Sequence, residues 1–199
     1  MIYNYFDIGT CDFEVADGVF SKDKNYLLVE PMEEYLNRLP SGENIQKENS
    51  ACSDKDGSMD IFYVPEEKII SHNLPMWMKG CSKINEPHIV VVNYLNNAGV
   101  PLSIIESKKI NVISFDNLIS KYNIEHIDTL KIDTEGHDHI IFKEVAKSIL
   151  DNKISCNSIT VEYIVGRYGN TNQIDEIAFS LHKMFPNIKF HSENLTITK

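Results

Sequence analysis

Short apolar runs in this chain end on an acid or a glycine, and segments with helical spacing lie between them. IYNYFDI (2–8), bounded by Gly9, predicts a buried strand. CDFEVADGVF (11–20) predicts a short helix, and NYLLVEP (25–31) a second buried strand stopped by Pro31. MEEYLNRL (32–39) predicts a helix that PSG (40–42) ends. IQKENSACS (45–53) and SMDIFYV (58–64) flank the turn DKDG (54–57) and predict a hairpin. IVVVNYL (89–95) and INVISF (110–115) predict strands, and DNLISKY (116–122) a helix with Asp116 at its N-cap.

The remainder repeats the alternation. IDTLKID (127–133) predicts a strand. HDHIIFKEVAKSIL (137–150) predicts a helix that carries Ile141, Phe142, Val145 and Ile149 on one face. SITVEYI (158–164) predicts a strand, TNQIDEIAFSLHKMF (171–185) a helix, and NIKFHSENLTITK (187–199) two short antiparallel strands. Residues 65–88 hold Pro65, Pro75, Gly80 and Pro87 and show no period, which predicts a long functional or mobile loop. The alternation of strands and helices predicts an open α/β sheet with helices on both faces. No linker divides the 199 residues, so a single domain over 1–199 is expected.

Composition narrows the classes of function. The net charge of −10 disfavours binding to a phosphate backbone, so no nucleic-acid partner is expected. No apolar run reaches the ~20 residues of a membrane span. MIYNYFDIG lacks the basic flank of a signal peptide, so a cytoplasmic location is expected. The cysteines Cys11, Cys52, Cys81 and Cys156 form no CxxC pair; free thiols in a reducing compartment are expected rather than a structural zinc site.

Open α/β sheets bind ligands outside the carboxyl ends of their strands. Acids stand at those ends: Asp7 before Gly9, Glu30, Asp54, Asp133 with Glu135, and Glu162. Glu30 follows Gly9 by 21 residues. An acid about 20 residues past a glycine turn accepts hydrogen bonds from a ribose diol. The turn Gly9-Thr10-Cys11-Asp12-Phe13 lacks the later glycines that a dinucleotide pyrophosphate needs, and Asp12 would face phosphate with like charge. A cofactor with adenosine but no phosphate suits it better, namely S-adenosylmethionine (SAM). Asp7 could then lie near the ammonium and sulfonium charges.

The chain resembles the FkbM-type SAM-dependent methyltransferases. The resemblance rests on DIGTCDF (7–13), LLVEP (27–31), SACSDKDGSMDIFYV (50–64), LPMWMKGCSKINEPH (74–88), ISFDNLI (113–119) and above all IDTLKIDTEGHDHIIF (127–142), which carries a KID-x-EG element. It implies a class I methyltransferase fold: a Rossmann-like sheet, mostly parallel, with an antiparallel C-terminal strand. It implies SAM as methyl donor, held by Asp7, Gly9, Thr10, Cys11, Phe13, Glu30, Pro31, Ser53, Asp54 and Asp133. It also implies O-methyl transfer to a hydroxyl, commonly of a sugar or glycan. Two departures stand out. Cys11-Asp12 replaces a second glycine of many relatives, and the chain begins on its first strand, so parts of an acceptor site would come from elsewhere or from another subunit of a homo-oligomer.

Asp133 could orient and deprotonate an acceptor hydroxyl. Its neighbour Lys131 would share a sheet face with it. Glu135 and His137 are the further catalytic candidates, although Glu135 could simply cap the following helix. His137 and His139, two apart, do not face one another on a helix. Asp133 and Glu162, on neighbouring strands, could hold a divalent cation; Glu162 could equally cap a turn, and a metal is not expected. In the 65–88 loop, expected on the acceptor side, His72, Trp77, Lys79, Cys81, Asn85 and His88 suit a sugar face and its hydroxyls. Arg167 could read a substrate anion. The alternatives are a methyltransferase for a small metabolite or peptide, a catalytically inactive SAM-fold binding module, and a nicotinamide oxidoreductase that the missing GxGxxG disfavours.

Overall fold

The computed structural model describes residues 1–12 and 20–199. Phe13 and the middle of the helix expected over 11–20 lie outside the described residues. The chain forms two compact units, Met1–Gly57 with Asn111–Lys199 and Ser58–Ile110.

The first unit begins with β1 (Ile2–Ile8), β2 (Tyr26–Val29), α1 (Glu33–Arg38), β3 (Ile45–Glu48) and β4 (Ala51–Ser53). Leu27 and Leu28 show why β2 is central. Successive strand side chains point to opposite faces. Leu27 joins the large core, and Leu28 packs on the other face against Leu36 and Leu39 at α1. Both faces are therefore covered, and the strand reads as a continuous apolar run.

The second unit holds β5 (Gly57–Tyr63), which crosses into it at Ser58, α2 (Glu66–Ser71), β6 (Lys83–Ile84), α3 (Ile89–Ala98) and the first residues of β7 (Glu106–Ser114). The remainder of β7 returns to the first unit, followed by α4 (Phe115–Lys121), β8 (His126–Ile132), α5 (Asp138–Leu150), β9 (Ser155–Glu162), α6 (Thr171–Ser180), β10 (Asn187–His191) and β11 (Asn194–Thr198).

Among the described residues the main sheet has the order β10-β11-β9-β8-β1-β2-β3. Strands β9, β8, β1, β2 and β3 run parallel, and β11 is antiparallel to both β9 and β10. The expected mostly parallel sheet and its antiparallel C-terminal strand are present. The expected face of α5 is buried, with Ile141, Phe142, Val145 and Ile149 all in the large core. Helix α6 ends at Ser180 rather than at 185.

Three sequence expectations are corrected. The hairpin over 45–64 does not form. Strand β3 instead pairs in parallel with β2, β4 pairs in parallel with the end of β7, and β5 pairs with β6. Long-range partners decide this: Glu48 at the end of β3 takes Lys121 Nζ and, at 2.8 Å, Tyr122 Oη. IVVVNYL is helical, within α3. Val91 and Leu95, four apart, face Val64, Ile69, Met78 and Ile104, and left-handed Gly99 closes the helix. A continuous apolar run cannot by itself separate strand from helix, and packing overrides the β-branched bias. Finally, α4 is capped by Ser114, whose Oγ accepts from Asn117 N–H at 3.3 Å. Asp116 instead pairs with Lys153 at 2.8 Å.

The 65–88 segment is more regular than its composition suggests. Pro65 precedes α2, and Pro75 precedes a 3-10 turn at Met76–Lys79. A proline's fixed φ and missing N–H suit the first turn of a helix, so these prolines start elements as well as interrupt them. Ile69 and Met78 anchor both in the core of the second unit.

Candidate active site

Strand order reverses between β1 and β8. From β1 the chain moves outward to β2 and β3; from β8 it moves the other way to β9. Such a switch point opens a crevice at the carboxyl ends of the two strands.

Gly9 makes the junction tight. Its φ is +90°, and a Cβ placed there would stand 1.8 Å from the carbonyl oxygen of Asp133. Only glycine allows the turn after β1 to press on the backbone leaving β8. Asp133 N–H donates to the carbonyl of Ile8 at 3.0 Å and seals the contact. Gly9 thus has a packing reason to be glycine, independent of any cofactor.

The β2 end supplies Glu30, only 5% exposed. Its Oε2 accepts from Cys11 N–H at 2.9 Å and its Oε1 from Met32 N–H at 2.8 Å. Burial pushes the carboxyl up to about 7; the two N–H groups pull against this, and Asp7 adds to it. Asp7 and Thr10 are fully buried, and Tyr5 Oη donates to Asp7 at 3.3 Å. Cys11 sits in the left-handed region at φ +47°. Asp12 pairs with Arg38 at 2.8 Å, which offsets the like charge expected there. Asn49 donates to the carbonyls of Glu30 and Pro31 at 3.0 and 3.1 Å.

A second group gathers at the end of β4. Ser53 Oγ lies 3.0 Å from Asp54 Oδ1 and 3.0 Å from His137 Nε2. Burial, then His139, lower the His137 pKa, against Asp54. His139 turns elsewhere, with Nδ1 3.3 Å from Asn170 Nδ2.

The third group stands at the ends of β8 and β9. One oxygen each of Asp133, Glu135 and Glu162 lies within 4.8 Å of the others. Lys131 Nζ reaches Asp133 Oδ2 at 3.2 Å, and Tyr168 Oη donates to Glu135 Oε2. Arg167 spans Glu162 at 3.4 Å and Glu193 at 3.2 Å. Arg167 therefore has acidic partners inside the chain. Burial, then Asp138, Glu135 and Asp133, push the Glu162 carboxyl up to about 10, with Arg167 opposing.

The methyltransferase FkbM domain profile matches residues 7–184. This chain belongs to the FkbM methyltransferase family. None of the curated proteins matches it. Among solved structures it resembles the methyltransferase FkbM from Methylobacillus flagellatus KT, with a TM-score of 0.54 at 12% identity. That alignment covers 99% of this chain and 43% of the other, so the chain spans less than half of that protein's length. At this identity the likeness shows the fold: a mixed α/β structure built on a large, mostly parallel sheet. Among the described residues no helix is long and apolar enough to cross a membrane.

The FkbM turn after β8 depends on a residue that sequence reasoning passed over. Asp138, fully buried, accepts from Thr134 N–H at 2.8 Å, Thr134 Oγ1 at 3.1 Å and Gly136 N–H at 2.9 Å. It holds the turn in the capping role considered for Glu135, which leaves Glu135, at φ +55°, with Tyr168. Burial pushes the Asp138 carboxyl up to about 6 against these hydrogen bonds. An acid in the first turn of a helix was the available signal. Tyr168 had none, because 33 residues separate it from Glu135.

Proposed function

We propose that this chain is a SAM-dependent methyltransferase that transfers the methyl group to a hydroxyl of a sugar or glycan. The carrying observation is the Glu30 carboxylate, buried at the β2 end and held by N–H groups of the turns after β1 and β2. Each oxygen keeps a second lone pair, so the group is a fixed acceptor suited to a diol. That chemistry fits the ribose of SAM, with Ser53 and Asp54 as the candidates for its adenine side. When bound, SAM supplies an electrophilic methyl group.

The chain's own contribution is placement. The Gly9–Asp133 contact fixes the acid of β8 beside the cofactor turn. Asp133 then orients the acceptor hydroxyl and accepts its proton, a contribution of roughly 10²–10⁴ in rate. Lys131 holds that carboxylate in position. The carbohydrate acceptor is what the FkbM resemblance implies; taken by itself, the second unit carries an exposed edge-to-face pair, Trp77 and Tyr94, with ring centres 5.7 Å apart. Such apolar faces stack on sugar rings. A cytoplasmic setting belongs to the same reading, in keeping with four cysteines that form no CxxC pair.

Calorimetry with SAM, its demethylated product and NAD tests the cofactor class, with SAM and its product expected to bind and NAD not. Mass spectrometry of glycoside acceptors incubated with enzyme and SAM tests the reaction. Asp133→Asn should lose most of the turnover while keeping its SAM affinity. If the folded variant turns over within a few-fold of the parent, the role given to Asp133 is wrong. If the parent binds SAM but methylates only small metabolites or peptides, the acceptor class is wrong.

A further inference from the structure

We propose that Asp133, Glu135 and Glu162 bind one hard divalent cation (Mg²⁺, Mn²⁺ or Ca²⁺) at the carboxyl ends of β8 and β9. Their candidate ligand oxygens all lie within 4.8 Å of one another. An octahedral ion with bonds of about 2.1 Å sets its ligand oxygens about 3.0 to 4.2 Å apart, and one with bonds of about 2.4 Å sets them about 3.4 to 4.8 Å apart. The cluster fits that range. Oxygen-only donors select a hard ion over zinc.

Proximity of acids alone would not point to a ligand. The second observation is Glu162, whose side chain is 7% exposed and whose carboxylate faces the other two acids. Its Oε1 has a long contact to Arg167 at 3.4 Å. Its Oε2 is buried with no hydrogen-bond partner among the described residues. A buried carboxyl oxygen without a hydrogen-bond partner is costly. A cation at the cluster would satisfy it.

The surroundings match those of metal-binding carboxylates, which are themselves hydrogen-bonded by outer groups. Lys131 pairs with Asp133, Tyr168 donates to Glu135 and Arg167 reaches Glu162. Lys131 and Arg167 bring two positive charges to a cluster of three carboxyl groups, with Asp138 a further acid nearby.

Binding is measurable without SAM or acceptor, so the site stands or falls apart from the proposed methyl transfer. The probe is Mn²⁺, titrated into the purified chain at pH 8 and followed by electron paramagnetic resonance, with Mg²⁺ and Ca²⁺ as competitors. One Mn²⁺ per chain is expected, displaced by a competitor, with affinity weakened at least tenfold in Glu162→Gln. Glu135→Gln, on the outer turn, should weaken it as well and serves if Glu162→Gln does not fold. The proposal is overturned if the parent binds no Mn²⁺ at millimolar concentration. It is equally overturned if the folded variants bind as the parent does, in which case Lys131 and Arg167 alone balance the cluster.

Discussion

Replacing Glu30 with Gln separates the charge of this group from its shape. In the folded chain burial pushes the carboxyl up to about 7, whereas its ordinary value is 4.5. Between those values the folded state keeps a proton that the unfolded chain has released. Stability contributed by Glu30 is therefore greatest below about pH 4.5 and is lost as pH rises through about 7. From pH 5 to pH 8 the loss amounts to roughly 2–3 kcal/mol. Gln does not titrate, so the variant lacks this slope. It introduces a different defect: Cys11 N–H and Met32 N–H each need an acceptor, and the amide offers one oxygen. Leaving one N–H unpaired costs roughly 1–3 kcal/mol. Near pH 8 the relief of a buried charge offsets that defect, and the variant folds with stability close to the parent's. Near pH 5 the parent leads by roughly 2–3 kcal/mol more. Urea unfolding of both proteins from pH 5 to pH 8 measures this. Asp138 and Glu162 tilt both profiles alike, so the difference between them isolates Glu30. Parallel profiles, differing by a constant, would refute the reasoning. At pH 8 the same variant should bind SAM about 10–100 times more weakly, since a ribose diol loses its charged acceptor. Unchanged affinity would remove Glu30 from the cofactor site.

Gly9→Ala should abolish cooperative thermal unfolding followed by circular dichroism, because its Cβ meets the Asp133 carbonyl at 1.8 Å and its φ is left-handed. A loss below about 1 kcal/mol would show that the two backbones separate easily. Asp138→Ala removes an acceptor used by three donors and should destabilise by roughly 2–5 kcal/mol in denaturant melts. It should also flatten stability between pH 4 and pH 6, where the parent declines as this carboxyl, pushed up to about 6, loses its proton. A variant as stable as the parent, with the same pH profile, would show that the turn does not depend on Asp138.

What the sequence made legible was local. β1, β2 and α5 announce themselves because burial on both faces of a strand, or on one face of a helix, leaves a period in the residues. The pair β10–β11 is legible because its turn is short. Pairing between distant segments leaves no such trace. Asn49-Ser50 between β3 and β4 reads like the middle of one extended arm, yet β3 finds β2 and β4 finds β7. Val91 and Leu95 became a helical face because five other buried residues of their own unit, Val64, Ile69, Leu74, Met78 and Ile104, lie on that side. In the site, Glu30 was legible through its distance from Gly9. The contact of Ser53 with His137 spans 84 residues and was not. The packing role of Gly9 was also hidden, since a turn glycine and a glycine pressed against a carbonyl look alike in one dimension.

The central position of β1 has a kinetic consequence. Asn4 on β1 bonds to Asp128 on β8, 124 residues later, at 2.6 Å. On the ribosome β1 and β2 emerge together and can pair early. The other edge of β1, whose backbone groups pair with β8, must wait until that later strand has been made. A sheet closed so late has high contact order and folds slowly. During that interval an open edge is a template for wrong partners. Gly9 meets Asp133 only when β8 docks, so ligand binding at the switch point would report that the last long-range step is complete.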